Sequence, residues 1–343
     1  MSDEPTTATA ASGSARPLGP PPPFDPELAA ALEQLTARMP SGFSSGLTPE
    51  TVPAMREASR AFQAHYSAEV TSRSPAFEIE DRAVPGPEGA PDLSLLICRP
   101  RTARGPLPAV YYMHGGGMVM GSNREGVAEV LDWAEELGLA LVSVEYRLAP
   151  EHPHPAPVED CYAGLRWTAD NAKELGIDPE RILVAGTSAG GGLAAAVALL
   201  ACDREGPALI GQLLECPMLD DRDDTYSSHQ LASLGLWDRA ANETGWSALL
   251  GSGKGGPDVS PYAAPARADD LSGLPPTFID VGSAEIFRDE AVRYAALIWE
   301  AGGQAELHVW PGGFHGFERL APQAALSQDA RAARLLWLRR LLT

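Results

Sequence analysis

The chain has 343 residues, 44% of them apolar, and its 46 acidic against 26 basic residues leave a formal charge of −20. That is ample material for a core in one large domain or two ordinary ones, and a field of this sign argues against nucleic acid, anionic membranes and polyanionic substrates as partners. The longest apolar runs, such as residues 193–200, fall well short of the roughly 20 residues that a membrane-spanning helix needs.

Residues 1–23 are rich in Pro, Ala, Ser and Thr, with Asp3 and Glu4 near the start. They lack the basic start and apolar run of a secretory signal, so they read as a disordered leader on a cytoplasmic protein. From 26 to about 74 the pattern is helical. Apolar residues recur through Leu28, Leu32 and Leu35 and again through Met55 and Phe62, with a break at Pro40, Gly42, Gly46 and Pro49. Strands are expected at 76–81 and 93–99 on either side of Pro85-Gly86-Pro87-Glu88-Gly89, as an opening hairpin. The pattern then alternates. Strands are expected at 109–113, 140–145, 182–185, 210–216, 277–281 and 306–310. Helices are expected at 127–137, 157–175, 188–202, 289–301 and 325–342. This alternation, with strands apolar on both faces, implies an α/β protein with a mostly parallel, doubly wound sheet. Residues 220–274 interrupt the rhythm with Trp237, Trp246, several glycines and no evident strand. They read as an insertion over the carboxyl edge of the sheet, where ligands bind in such folds. Cys98, Cys161, Cys202 and Cys216 show no paired metal-ligand spacing and are expected to be free, buried thiols.

The strongest local signal is Gly186-Thr187-Ser188-Ala189-Gly190-Gly191, between a strand and a helix. In that context G-x-S-x-G is a nucleophile elbow. A tight turn brings the residues two before and two after the serine together, so both must be small, and the serine is held strained with its hydroxyl projecting. A second signal, His114-Gly115-Gly116-Gly117, also follows a strand. Consecutive glycines leave backbone N–H groups free to stabilise an oxyanion, and donors are expected from Gly115, Gly116 and Ala189. A phosphate-binding loop is the competing reading, but the lysine of a Walker motif is missing. His114 reads as an orienting residue rather than a base.

A serine hydroxyl needs a base. Of the seven histidines, His315 stands in a glycine-rich loop just past the last strand, where the chain order Ser, acid, His puts the base. The acid must lie between Ser188 and His315, just after a strand. Glu285 sits in the loop that follows strand 277–281, Asp280 within that strand, and Asp289 at the start of the next helix, where a carboxylate also suits the dipole. Position favours Glu285, with Asp289 the main rival. Met118, after the glycine loop, is expected to line the acyl pocket, with core packing as the alternative.

These residues resemble the bacterial hormone-sensitive lipase-like esterases (family IV). The motifs are His114-Gly-Gly-Gly117, Tyr146-Arg147-Leu148-Ala149-Pro150-Glu151, Glu159-Asp160-Cys161, the elbow and Pro311-Gly-Gly-Phe-His315-Gly-Phe317. The resemblance implies an α/β-hydrolase fold with an eight-stranded sheet, a Ser–acid–His triad, no cofactor or metal, and hydrolysis of short-chain acyl esters. It implies a helical cap built from residues 24–75 and 220–274 over a core of 76–219 and 275–343, and it allows a homodimer paired through the last strand. Tyr146, Arg147, Glu159 and Asp160 then hold loops beside the site. Two positions depart from the family pattern. Thr187 stands where aspartate is commonest, as in a subgroup with threonine, and Glu285-Ile286-Phe287 replaces the usual Asp-Pro-Leu. The same machinery would hydrolyse an amide or a lactone, because the triad does not set the leaving group. A ligand receptor that kept the fold and lost activity is the reading outside enzymes, and the presence of His315 argues against it.

Overall fold

A computed structural model describes residues 18–38 and 47–343. In chain order the elements are α1 (Pro26–Arg38), α2 (Val52–Ser72), β1 (Phe77–Val84), β2 (Leu93–Pro100), β3 (Leu107–Met113), α3 (Val127–Leu137), β4 (Ala140–Glu145), α4 (Ala156–Asp170), α5 (Ala172–Leu175) and β5 (Ile177–Thr187). They continue with α6 (Ala189–Asp203), β6 (Leu209–Glu215), α7 (Tyr226–Gln230), α8 (Arg239–Leu250), β7 (Thr277–Gly282), α9 (Arg288–Glu300), β8 (Ala305–Trp310), α10 (Phe317–Leu320) and α11 (Ala325–Leu342).

The eight strands form one sheet in the order β1-β2-β4-β3-β5-β6-β7-β8. β1 and β2 form the antiparallel hairpin, β2 meets β4 antiparallel, and every later pair is parallel. Every residue of β3 is buried, whereas β1 at the edge is buried at Phe77 and Val84 and half or fully exposed between them. This is the contrast between a strand covered by helices on both faces and an edge strand. Chain order reverses at β3, which lies between β4 and β5. Loops leaving β3 and β5 therefore emerge side by side at a topological switch point, on the carboxyl edge of the sheet. α6 is buried from Ala189 to Ala201, and its alanines let it lie close to β5 and β6.

Several elements differ from expectation. β5 begins five residues earlier than its apolar run, because Asp178-Pro179-Glu180 is polar yet still extended. The helix expected over 157–175 is two helices, divided at Asn171, whose amide donates to the Trp167 carbonyl at 2.8 Å. Residues 220–274 contain helices and turns and no strand among the described residues. Most of the expected leader lies outside the described residues, as do Pro40, Gly42 and Gly46. Its last part, 18–23, is tied to α7: the Gly19 N–H donates to Tyr226 Oη at 2.5 Å and the Gln230 amide to the Pro20 carbonyl at 2.7 Å. Three thiols are buried and all four cysteines are free, but Cys202 is exposed, at the solvent end of α6. No described helix is long and apolar enough to cross a membrane.

Candidate active site

Ser188 joins β5 to α6 at φ 59°, ψ −118°, a conformation that L-residues seldom adopt. The turn is so tight that a Cβ at Gly186 would lie 2.2 Å from the Gly190 carbonyl oxygen. One at Gly190 would lie 2.1 Å from the Met113 oxygen. Backbone bonds hold the strained residue: Ser188 N–H donates to the Glu215 carbonyl at 2.8 Å, and its own carbonyl accepts from Gly192 and Met218 at 3.0 Å. The strain is therefore over-determined by its surroundings, as is usual where function needs it.

His315 Nε2 lies 2.9 Å from Ser188 Oγ, and Nδ1 is hydrogen-bonded to Glu285 Oε2. A carboxylate on Nδ1 selects the tautomer with the proton there, leaving Nε2 to accept the serine hydroxyl. The other Glu285 oxygen accepts the Gly282 N–H at 2.7 Å. The loops carrying the two residues are joined along their length. The Ser283 N–H donates to the Trp310 carbonyl at 2.8 Å, Ala284 to Gly313 at 3.0 Å, and Gly312 to Ser283 Oγ at 2.8 Å. Gly282 packs so closely on Gly313 that a Cβ there would meet its oxygen at 2.1 Å. The rival acids are committed elsewhere. Asp289 accepts from the Ser227 N–H and Arg288, and Asp280 from Trp310 Nε1 and Arg334.

The Gly115–Gly117 segment curls through φ 113° at Gly116 and 60° at Gly117. The N–H groups of Gly115, Gly116 and Ala189 donate to no acceptor among the described residues, and Ala189 also opens α6, where free N–H groups point outward. A Cβ on Gly115 would lie 3.6 Å from that of Ser188, and Gly116 lines the same cavity as Ser188. His114 is buried, stacked on Tyr146 at 4.1 Å between centroids, with Nδ1 2.7 Å from the Gly115 carbonyl. Burial pulls its pKa down to about 4, so it is neutral at pH 7 and orients the loop. Tyr146 Oη donates to the His114 carbonyl at 2.8 Å, and Arg147 makes a two-pronged pair with buried Asp160. On the other side of the sheet end, Arg334 sits among Glu129, Glu215, Asp280 and Glu318. Burial beside those carboxylates pushes Glu215 up to about 8, although Arg334 opposes the rise.

Ser188 and His315 open into a cavity of about 230 Å³. Its walls include Met55 and Tyr66 from α2, and Leu236, Trp237 and Ala241 from the insertion. Met118 is not among them. Its φ of 66° turns the side chain into the core, where it is 1% exposed, and Met120 lines the cavity instead. Trp237 lies on the glycine loop: a Cβ at Gly117 would meet its ring at 2.1 Å. α1 does not line this cavity. Leu28 joins Phe314 and Phe317 in a separate apolar cluster behind the His315 loop, and Phe24 meets Phe314 edge-to-face. Tyr66, Met120, Glu125 and Arg319 carried no sequence signal, because no motif or period marks a residue that faces a cavity between distant segments. Cys216, Glu285 and His315 are the one cluster of potential metal ligands among the described residues, and two of the three are already hydrogen-bonded to each other.

A family model described as the α/β hydrolase fold matches residues 110–319. The chain is 39% identical over 278 residues to the carboxylesterase NlhH of Mycobacterium tuberculosis, covering 78% of this chain and 84% of that protein. Among solved structures it resembles a bacterial heroin esterase, with a TM-score of 0.83 and 39% identity over 93% of this chain and 98% of that one. It also resembles a hyperthermophilic esterase from the archaeon Pyrobaculum calidifontis, with a TM-score of 0.79 and 33% identity over 92% and 97% of the two chains.

Proposed function

The chain belongs to the α/β-hydrolase family, and we propose that it is a serine carboxylesterase that hydrolyses short-chain acyl esters through an acyl-enzyme on Ser188. The observation that carries this reading is the continuous relay from Ser188 Oγ through both nitrogens of His315 to Glu285, beside unspent backbone N–H groups.

His315 Nε2 takes the serine proton as Oγ attacks the ester carbonyl. The imidazolium that forms is stabilised by the buried Glu285 carboxylate, which the Gly282 N–H keeps in place. The longer glutamate side chain serves here because the loop turns back on Gly282. The carbonyl oxygen gains negative charge and settles against the N–H groups of Gly115, Gly116 and Ala189, in a pocket that needs no rearrangement. His315 then protonates the departing alcohol. Water, activated by the same imidazole, cleaves the acyl-enzyme and regenerates the serine. The cap is assigned to α2 and the insertion, whose side chains share the cavity.

The test is hydrolysis of p-nitrophenyl acetate, butyrate, octanoate and palmitate by the wild type and by Ser188→Ala. Fast turnover of the short esters, lost in Ser188→Ala together with labelling by an organophosphate, is the expected result. An unlabelled Ser188 and no turnover of any ester by the wild type would overturn the reading.

A further inference from the structure

Two charged side chains in the wall of the Ser188 cavity have hydrogen-bonding capacity that the protein leaves unspent. Arg319 lies four residues past His315, in α10, and its guanidinium makes no hydrogen bond among the described residues. Its one ion-pair neighbour, Glu125, is 3.9 Å away between Nη1 and Oε1, too far for a hydrogen bond. Its buried Nε has no partner. The Glu125 carboxylate accepts no hydrogen bond among the described residues either. Both side chains are about a quarter exposed, at 26% and 22%, and they line cavity walls. Tyr66, Glu125, Arg319 and Leu320 line both the Ser188 cavity and a second cavity of about 320 Å³, so the pair stands where the two adjoin. The rest of the Ser188 cavity is walled chiefly by hydrocarbon and aromatic side chains, among them Met55, Met120, Leu236 and Trp237.

The chemistry of the pair narrows what it can bind. A free carboxylate would gain Arg319 but meet the negative charge of Glu125, and an ammonium would meet the reverse conflict. A hydroxyl group both donates and accepts from one atom, so it can bridge both members at once without bringing a charge. We propose that Arg319 and Glu125 read a hydroxyl group on the substrate, so that the preferred esters are hydroxylated ones. The apolar walls then take the hydrocarbon between that hydroxyl and the scissile carbonyl. This rests on the esterase reading above and names its substrate class.

The experiment compares esters in which a terminal CH₃ is exchanged for OH, on either side of the scissile bond. One pair is pentyl butyrate against 4-hydroxybutyl butyrate, the other ethyl heptanoate against ethyl 6-hydroxyhexanoate. Turnover is followed by alkali titration at constant pH. The wild type is expected to favour the hydroxylated member of at least one pair by roughly tenfold in kcat/KM, since the analogue leaves both groups unpaired. Arg319→Met and Glu125→Leu should each bring that ratio to within about twofold of unity, the scale of a few tenths of a kcal/mol. Each ratio is taken on one preparation, so a partly unfolded variant lowers both members equally, and only lost recognition moves the ratio. Wild-type ratios at or below unity, with the plain esters still turned over, would sink the hydroxyl assignment and leave the esterase reading standing. Preference for a terminal carboxylate, as in ethyl hydrogen adipate, or for a terminal ammonium would also overturn it. No turnover of any of these esters or of p-nitrophenyl butyrate would remove the esterase reading and this inference with it.

Discussion

Beneath the scissile bond, around Ser188, a Cβ at Gly186 or Gly190 would meet backbone oxygens at 2.1–2.2 Å, and carbonyls and N–H groups leave no room for a side chain. Above it, the cavity is bounded by Met120 and by the adjacent Leu236 and Trp237, all only half-buried and drawn from two segments far apart in the chain. The floor is made of backbone in contact with backbone, the roof of exchangeable side chains on irregular supports. A backbone contact cannot be retuned by substitution without moving a strand, so the floor holds the chemistry constant. Side chains can be exchanged at modest cost, so the proposed function leaves substrate choice to the roof. Trp237 belongs to the roof yet rests on Gly117 of the floor, and there the two regions are coupled.

The sharpest way to break this division is at the acid. Glu285→Gln should lower kcat by about 10³- to 10⁴-fold with little change in KM, because the amide disturbs the tautomer and withdraws the charge that supports the imidazolium. Activity within tenfold of the wild type would move the acid to Asp289 or Asp280. Next in size is Gly190→Ala, whose methyl would press on the Met113 and His114 carbonyls. It should cost about 3 kcal/mol or more, read as a shift in the urea midpoint. A wild-type midpoint would mean that the floor yields as easily as the roof.

The His114 imidazole gives a pH-dependent test of the same region. Its folded pKa, about 4, lies below the ordinary value of 6.5, so the unfolded chain takes up the proton first as pH falls. Stability held above pH 6.5 is therefore lost between about pH 6.5 and 4, by up to about 3 kcal/mol. Buried Glu215, raised to about 8, titrates with the opposite sign in both proteins, so the test is the difference: from pH 7 to pH 5 urea unfolding should show the wild type losing stability relative to His114→Asn. Equal slopes would place the titrating group elsewhere. Trp237→Ala comes next: about tenfold in KM, with kcat falling several-fold because the glycine loop loses its support, an effect of about 1.4 kcal/mol on binding. Steady-state kinetics with kcat unmoved would show the two regions to be independent there. Leu236→Ala is the smallest change, a roughly two- to fivefold rise in KM through lost apolar contact.

Much of the floor is legible because its requirements are local. Gly186 and Gly190 flank the serine within four residues, and the steric demand that selects them acts within that span. Helix 127–137 and strand 140–145 carry the right period and match their observed limits. The polar Asp178-Pro179-Glu180 hid the start of β5, because strand pairing there is decided by the neighbouring β3, where Leu107 aligns with Ile177. Met118 illustrates the other limit. Sequence puts it after the glycine loop, and only the folded loop shows that its side chain enters the core while Met120 lines the cavity.

The parallel sheet, the elbow, the glycine loop and the histidine proposed as base could be read from the residues alone, since each depends on contacts between residues close in the chain or on a period within one element. Folding is what sets Glu285, rather than Asp289 or Asp280, against His315 Nδ1, because the loop after β7 lies against the loop of His315. Only folding brought Tyr66, Glu125 and Arg319 to one cavity. Which way a side chain faces across a cavity is set by segments hundreds of residues apart packing together, and no local pattern records that.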